Sequence, residues 1–212
     1  SRGLGDVYKR QTSAEVSREF REYERFATAC MNASLMPVVD RYLERFEAGL
    51  RDIGILCRPL VMQSNGGAVS CAAVRQAPVN TFFSGPAGGV IATAELGRRL
   101  GINDLISFDM GGTSTDVCLI RDGAPRRRAA REIGGLPARI ATLDIHTIGA
   151  GGGSLAWVDS GGLMKVGPRS AGASPGPAFY GRGGEQATVT DANAVLGRLS
   201  GGALLGGRMR AF

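Results

Sequence analysis

The sequence predicts an α/β fold, and three observations carry that expectation. Residues 32–53 repeat apolar side chains at three- and four-residue spacings with charges opposite, the pattern of an amphipathic helix. Residues 105–120, LISFDMGGTSTDVCLI, read as strand, glycine-rich turn and strand. Downstream, short apolar runs flank Asp122-Gly123 and Asp159-Ser-Gly-Gly, which are hairpin signals. A chain of 212 residues is long enough for one good core, or for a larger domain with a lobe missing.

Taken in order, residues 13–31 begin polar, and EFREYERFATAC reads as a loop or edge segment. The helix is expected from Asn32, with Asn32 or Ser34 as its cap, Pro37 in its first turn and Gly54 at its end. Its stripe of Leu35, Val38, Val39, Tyr42, Leu43, Phe46, Leu50 and Ile53 is expected to be core. Leu60 to Met62 reads as a short buried strand running into the turn Gln63-Ser-Asn-Gly-Gly67. That turn is either a ligand edge or an ordinary turn. A short helix over 72–76 and a strand over 79–83 follow, and then a helix from Gly85 through Arg99. The Gly/Ala face of this last helix suits close packing against a second helix, as at a hinge between lobes.

Residues 105–116 hold the candidate chemistry. The strand ends in Asp109, and Gly111, Gly112, Thr113, Ser114 and Thr115 lead to Asp116. Two glycines let backbone N–H groups approach an anion, and the hydroxyls add donors. A carboxylate at 109 fits beside a phosphate if Mg²⁺ lies between them. The alternative is a polar hairpin turn. After it, 126–133 is expected to return as a mostly exposed strand, and 149–154, GAGGGS, offers Gly149, Gly151, Gly152 and Gly153 as a surface for a nucleotide's sugar or phosphates. Asp144 and His146, two residues apart, would share one face of a strand and could pair or share a metal; the alternative for this sole histidine is a packed structural role. Residues 155–158 and 163–166 read as a hairpin, 167–184 as a long functional loop, and Thr190-Asp191 as the cap of a helix through Arg198.

Composition excludes several classes. No apolar stretch reaches 18 residues and no signal-peptide pattern opens the chain, so a membrane role is not expected and a cytoplasmic location is. Cys30, Cys57, Cys71 and Cys118 are too dispersed for a zinc site or a disulfide frame. The net charge of +6 includes a cluster at Arg126, Arg127, Arg128 and Arg131 that lacks interleaved aromatics, so no nucleic-acid partner is expected. Lys9 and Lys165 are the only lysines and neither follows a glycine, which excludes a Walker loop.

The segment FDMGGTSTDV resembles the second phosphate loop of the actin/Hsp70/sugar-kinase ATPases, and 84–97 resembles the helix leading into it. More closely, residues 12–212 resemble the hydantoinase A/5-oxoprolinase family through six ordered blocks: MQSNGG, SGPAGGV, FDMGGTSTDV, LDIHTIGAGGGS, the Gly/Pro run at 167–184, and TVTDAN-VLGRL. Residues 1–11 resemble a translated sequencing adapter and are expected to add nothing to the fold. The resemblance implies an actin/Hsp70/sugar-kinase-like ATPase fold with a ribonuclease H-like lobe, present in this chain as an incomplete fragment truncated at both ends and inactive alone. It also implies ATP and Mg²⁺ as cofactors, and a hydantoinase B-type subunit or fused domain as partner. The implied activity is phosphorylation of a cyclic amide carbonyl (a hydantoin, 5-oxoproline or similar lactam) before ring opening. Related members carboxylate ketones, and an Hsp70-like binding role is the non-enzymatic alternative. Asp109 and Asp116 are the implied catalytic residues, with Asp109 on the metal and Thr115 and Asp116 supporting the loop. The family has Asp where this chain has Ser174, and Cys where it has Phe179, which puts any role at those positions in doubt.

Overall fold

The computed structural model describes residues 11–200. The expectations for residues 1–10 and 201–212 lie outside them. Among the described residues the chain forms two compact units: 11–105 with Cys118–Ile145, and Ile106–Val117 with 146–200.

The first unit opens with α1 (Ser13–Val16), whose capping box pairs Thr12 with Glu15. Helix α2 runs Glu22–Asp52, 31 residues, and so begins a full ten residues before the expected Asn32. The polar opening hid it, because its buried face is partly polar: Thr28 and Asn32 are buried beside Met31, Met36 and Leu43. Asn32 is therefore no cap. Its Nδ2 donates to Gln11 Oε1 and the Gln76 carbonyl, and its Oδ1 accepts from the Val79 N–H. Gln11, grouped by sequence with the foreign opening segment, is tied to this network. Pro37 sits inside the helix rather than in its first turn. Gly54 does end it, in the left-handed region at φ 79°. Of the expected core stripe only Leu43 is buried, while Val38, Tyr42, Phe46 and Ile53 are exposed.

Strands β1 (Leu60–Met62) and β2 (Ala68–Ser70) pair antiparallel, so Gln63–Gly67 is the turn of a hairpin. The turn has a structural duty. Buried Ser64 accepts from the Phe83 N–H through Oγ, donates its own N–H to the Asn80 carbonyl, and accepts from Leu143 N–H. Leu60, expected buried, is exposed. Helix α3 (Cys71–Gln76) follows, and 79–83 is not a strand but a 3-10 turn over Pro78–Thr81. Helix α4 (Ser84–Leu100) buries Ala87 and Val90 against Cys118, Ile120, Leu143 and Ile145. Of its small residues Ala87 packs on strands, while a Cβ at Gly85 or Gly88 would meet no described residue. Gly97 is the close approach, since a Cβ there would lie 2.7 Å from the Ile102 carbonyl. A second cluster joins Met31, Val79, Ala138 and Ile140, and a third joins Leu43, Cys71 and Val74.

The strand–turn–strand is formed by β3 (Leu105–Met110) and β4 (Thr115–Arg121). At Asp122-Gly123 both residues have positive φ, and β5 (Ala124–Pro125) returns along β4. The exposed return strand expected over 126–133 is instead broken into β6 (Arg127–Arg128) and β7 (Arg131–Ile133). They pair with later strands, β6 with β9 (Thr142–Leu143) and β7 with β8 (Leu136–Ala138). Strand β10 (Ile145–Ile148) lies beside β4, opposite β3.

In the second unit, β11 (Ser154–Val158) and β12 (Met164–Ser170) form the expected hairpin. Asp159 Oδ1 closes its turn by accepting from the N–H groups of Gly161 and Leu163. The expected long loop is shortened, because β12 takes 167–170 and a 3-10 turn takes Ala178–Tyr180. Helix α5 (Val189–Val195) is capped by Thr188 in a box with Asp191, so the cap lies two residues before the expected Thr190. No described helix is long and apolar enough to cross a membrane.

Candidate functional site

The two glycine-rich segments bond directly to each other. Gly152 N–H donates to the Gly111 carbonyl at 2.9 Å, and Gly153 N–H donates to the Gly112 carbonyl at 2.7 Å. The approach is too close for side chains. A Cβ on Gly151 would stand 2.6 Å from the Gly111 oxygen and 2.7 Å from the nitrogens of Thr113 and Ser114. Gly149–Ser154 therefore acts first as a buttress, not as an open anion surface. The Gly151 N–H is also spent, on Ser154 Oγ at 2.8 Å.

This pairing decides which donors remain. In a trans peptide the C=O and the following N–H point in opposite directions. The Gly111 and Gly112 carbonyls face Gly152 and Gly153, so the N–H groups of Gly112 and Thr113 face away from them. No described residue accepts from either. Gly111 itself is excluded, because its N–H closes the turn onto the Ser114 carbonyl at 2.9 Å. Two successive outward N–H groups make a small nest suited to an anion.

Side chains at the turn divide in the same way. Thr115 is buried, and its hydroxyl donates to the Ala150 carbonyl at 2.5 Å, so it ties the segments together and is not available to a ligand. Asp116 accepts from Thr147 Oγ1 at 2.6 Å. Asp109 is exposed, and no described residue pairs with it. An exposed carboxylate on the strand that enters the turn is a hard oxygen donor of the kind Mg²⁺ takes. Among the described residues no three His, Cys, Asp or Glu side chains cluster to hold a metal by themselves.

The expected Asp144–His146 pairing is not found. The Asp144 carboxylate is ion-paired with Arg128, and its N–H donates to the Arg126 carbonyl. Pairing of β6 with β9 turns that carboxylate toward the arginine arm. His146 is exposed. Arg131 also leaves the basic cluster, donating to the Ile145 carbonyl and lying over the Phe83 ring at 4.5 Å. Burial, and secondarily the Asp144 charge, push the Cys118 thiol up.

The sequence reading missed the supports behind the glycines. Thr190 donates to the Gly152 carbonyl from both N–H and Oγ1, each at 2.8 Å. Asp191 binds the N–H groups of Phe179 and Thr188 and the Thr188 hydroxyl. Burial works to raise the Asp191 pKa, but these hydrogen bonds outweigh it and hold the carboxyl below its ordinary value. The signal was present as the T-x-x-D spacing of 188 and 191.

Fold and site together define an α/β protein in which two glycine-rich segments bond backbone to backbone. The chain belongs to the hydantoinase/oxoprolinase family, whose model matches residues 25–212. It is 44% identical over 198 residues to the caprolactamase alpha subunit of Pseudomonas jessenii, covering 92% of this chain and 28% of that one. The crystal structure of ATP-dependent caprolactamase from the same organism matches with a TM-score of 0.77 at 41% identity, over 94% of this chain and 29% of that chain. Nucleotide-free acetone carboxylase also matches with a TM-score of 0.77, at 30% identity, over 94% of this chain and 28% of that chain. The chain thus spans under a third of the length of these relatives.

Proposed function

We propose that this chain supplies the phosphate-holding segment of an ATP-dependent enzyme that activates the carbonyl of a cyclic amide for ring opening. The observation that carries this reading is the backbone pairing of Gly111 and Gly112 with Gly152 and Gly153, which leaves the N–H groups of Gly112 and Thr113 unbonded on a turn entered by the strand that carries Asp109. The Gly112 and Thr113 N–H groups would take nonbridging phosphate oxygens, and Asp109 would hold Mg²⁺ directly or through water. When bound, the ion neutralises charge on the transferring phosphoryl group. Asp116, fixed by Thr147, and Thr115, fixed on Ala150, keep the loop in register.

Amide resonance makes a lactam carbonyl a poor electrophile. Attack of the amide oxygen on the γ-phosphorus forms an O–P bond, breaks the β–γ bridge and releases ADP. Water then adds to the activated carbon, the C–N bond breaks as its electron pair leaves on the protonated nitrogen, and a second water hydrolyses the resulting acyl phosphate to carboxylate and phosphate. The nest contributes positioning and charge stabilisation, which dominate phosphoryl transfer. Likeness to an enzyme named caprolactamase favours this reading. Likeness to acetone carboxylase favours a second one, in which the phosphorylated group serves ketone carboxylation.

Within this proposal the fold is an actin/Hsp70/sugar-kinase-like ATPase lobe, and the partner is a hydantoinase B-type subunit or fused domain. The matched relative's designation as an alpha subunit supports a partner. A cytoplasmic location accords with four cysteines, none of which is in a disulfide. The test is ATP turnover by the intact protein with its partner subunit, assayed with hydantoins, lactams, and ketones plus bicarbonate. Stimulation by a lactam or hydantoin is expected. Stimulation by ketone and bicarbonate alone selects the carboxylase reading, and stimulation by peptides alone rejects both.

A further inference from the structure

The buttress behind the phosphate nest is itself anchored, and the anchor is a side chain. Thr190, buried in the first turn of α5, places its N–H and its Oγ1 on one acceptor, the Gly152 carbonyl, each at 2.8 Å. The two residues are fitted to each other, since a Cβ on Gly152 would come within 2.8 Å of Thr190 Oγ1. From there a chain of peptide planes leads to the site. The Gly152 carbonyl faces Thr190, so the Gly153 N–H of the same peptide points the opposite way, onto the Gly112 carbonyl at 2.7 Å. The Gly112 carbonyl faces Gly153, so the Thr113 N–H of that peptide points outward into the nest.

We propose that Thr190 is a positioning residue for phosphate, acting through Gly153 and Gly112 on the Thr113 N–H. The proposal rests on the phosphate-nest reading above. Two donors on the Gly152 carbonyl fix the orientation of its peptide plane, and with it the next plane along. They also polarise the relay, because each hydrogen bond in a chain strengthens the donor that follows. The Thr190 hydroxyl touches no ligand itself; what it sets is the direction and strength of a donor two peptide planes away.

The experiment compares Thr190→Val and Thr190→Ser in the intact protein. Valine keeps the branched shape and the N–H but loses the hydroxyl, and serine keeps the hydroxyl. ATP affinity is measured by calorimetry, and the melting temperature is recorded for each variant. Loss of one relay hydrogen bond predicts an ATP Kd raised roughly three- to tenfold in Thr190→Val. The melting temperature should be unchanged to within about 2 °C, a shift expected of well under 1 kcal/mol in a large chain. Thr190→Ser should return the Kd to near wild type. An unchanged Kd in Thr190→Val overturns the proposal. So does a loss that serine fails to restore, or one that falls in step with the melting temperature, which marks a structural role. Wild-type protein that binds no ATP overturns this proposal and the reading beneath it together, whereas wild-type binding with an indifferent valine variant overturns this one alone.

Discussion

The Gly153 amide donates to the Gly112 carbonyl across 2.7 Å, joining two glycine segments 41 residues apart in sequence. The bond takes up one side of the Gly112–Thr113 peptide and leaves its N–H side to a ligand. The same division makes individual glycines unequal, and that inequality is testable.

Gly151→Ala is expected to damage the site where Gly149→Ala does not. A Cβ at 151 meets three backbone atoms at 2.6 to 2.7 Å, none of which can rotate away, whereas the nearest atom at 149 is Pro168 Cβ at 3.9 Å. Overpacking of this kind costs about 1–3 kcal/mol. Denaturant titration and ATP turnover of the two variants in the intact protein check it. Equal behaviour of the pair would refute the buttress.

Asp109→Asn should abolish ATP turnover without changing stability. The carboxylate is exposed and has no partner among the described residues, so the fold loses nothing. Metal-assisted charge neutralisation contributes several kcal/mol, so a rate loss on the order of 10²-fold or more is expected. A phosphate-release assay beside a melting curve decides it, and near-wild-type turnover would end the assignment.

Asp191→Ala should lower stability at neutral pH and flatten the acid limb of the stability profile. The folded carboxyl has a lowered pKa through its bonds to Phe179 and Thr188, although burial opposes the shift. Its contribution is thus complete above the unfolded value of about 3.9 and is lost as pH falls through the lower folded value. Removing the box partner of the Thr188 cap costs about 1 kcal/mol. The difference between the two proteins in urea titration should begin to shrink as pH falls past about 3.9 and close only as it passes the lower folded value. A constant difference down to acid would show that the carboxylate's charge is not the source of the stabilisation.

Asn32→Leu should destabilise the first unit by about 1–3 kcal/mol, because the buried Val79 N–H loses its partner, while the Gln76 carbonyl keeps Gln11 Nε2. Equilibrium unfolding measures it. A change under about 0.5 kcal/mol, the range of ordinary surface substitutions, would mean that water replaces the amide without cost.

By itself the sequence determined the local elements whose signals are short-ranged. The strand–turn–strand at 105–121 follows from apolar runs around Gly111-Gly112, and the Asp122-Gly123 hairpin from two residues that accept positive φ. The hairpin over 154–170 and helix α4 were legible for the same reason, and the ordered motif blocks carried the family. Only the tertiary structure decided what those glycines and hydroxyls touch. Helix α2 began early because Thr28 and Asn32 find partners at Arg139, Gln76 and Val79, which no periodicity of apolar residues can register. Asp144 went to Arg128 rather than toward His146 because β6 pairs with β9. Which backbone groups of the turn are taken up within the protein was decided by the contact between residues 111–112 and 152–153, because the carbonyl and N–H of one peptide face opposite ways.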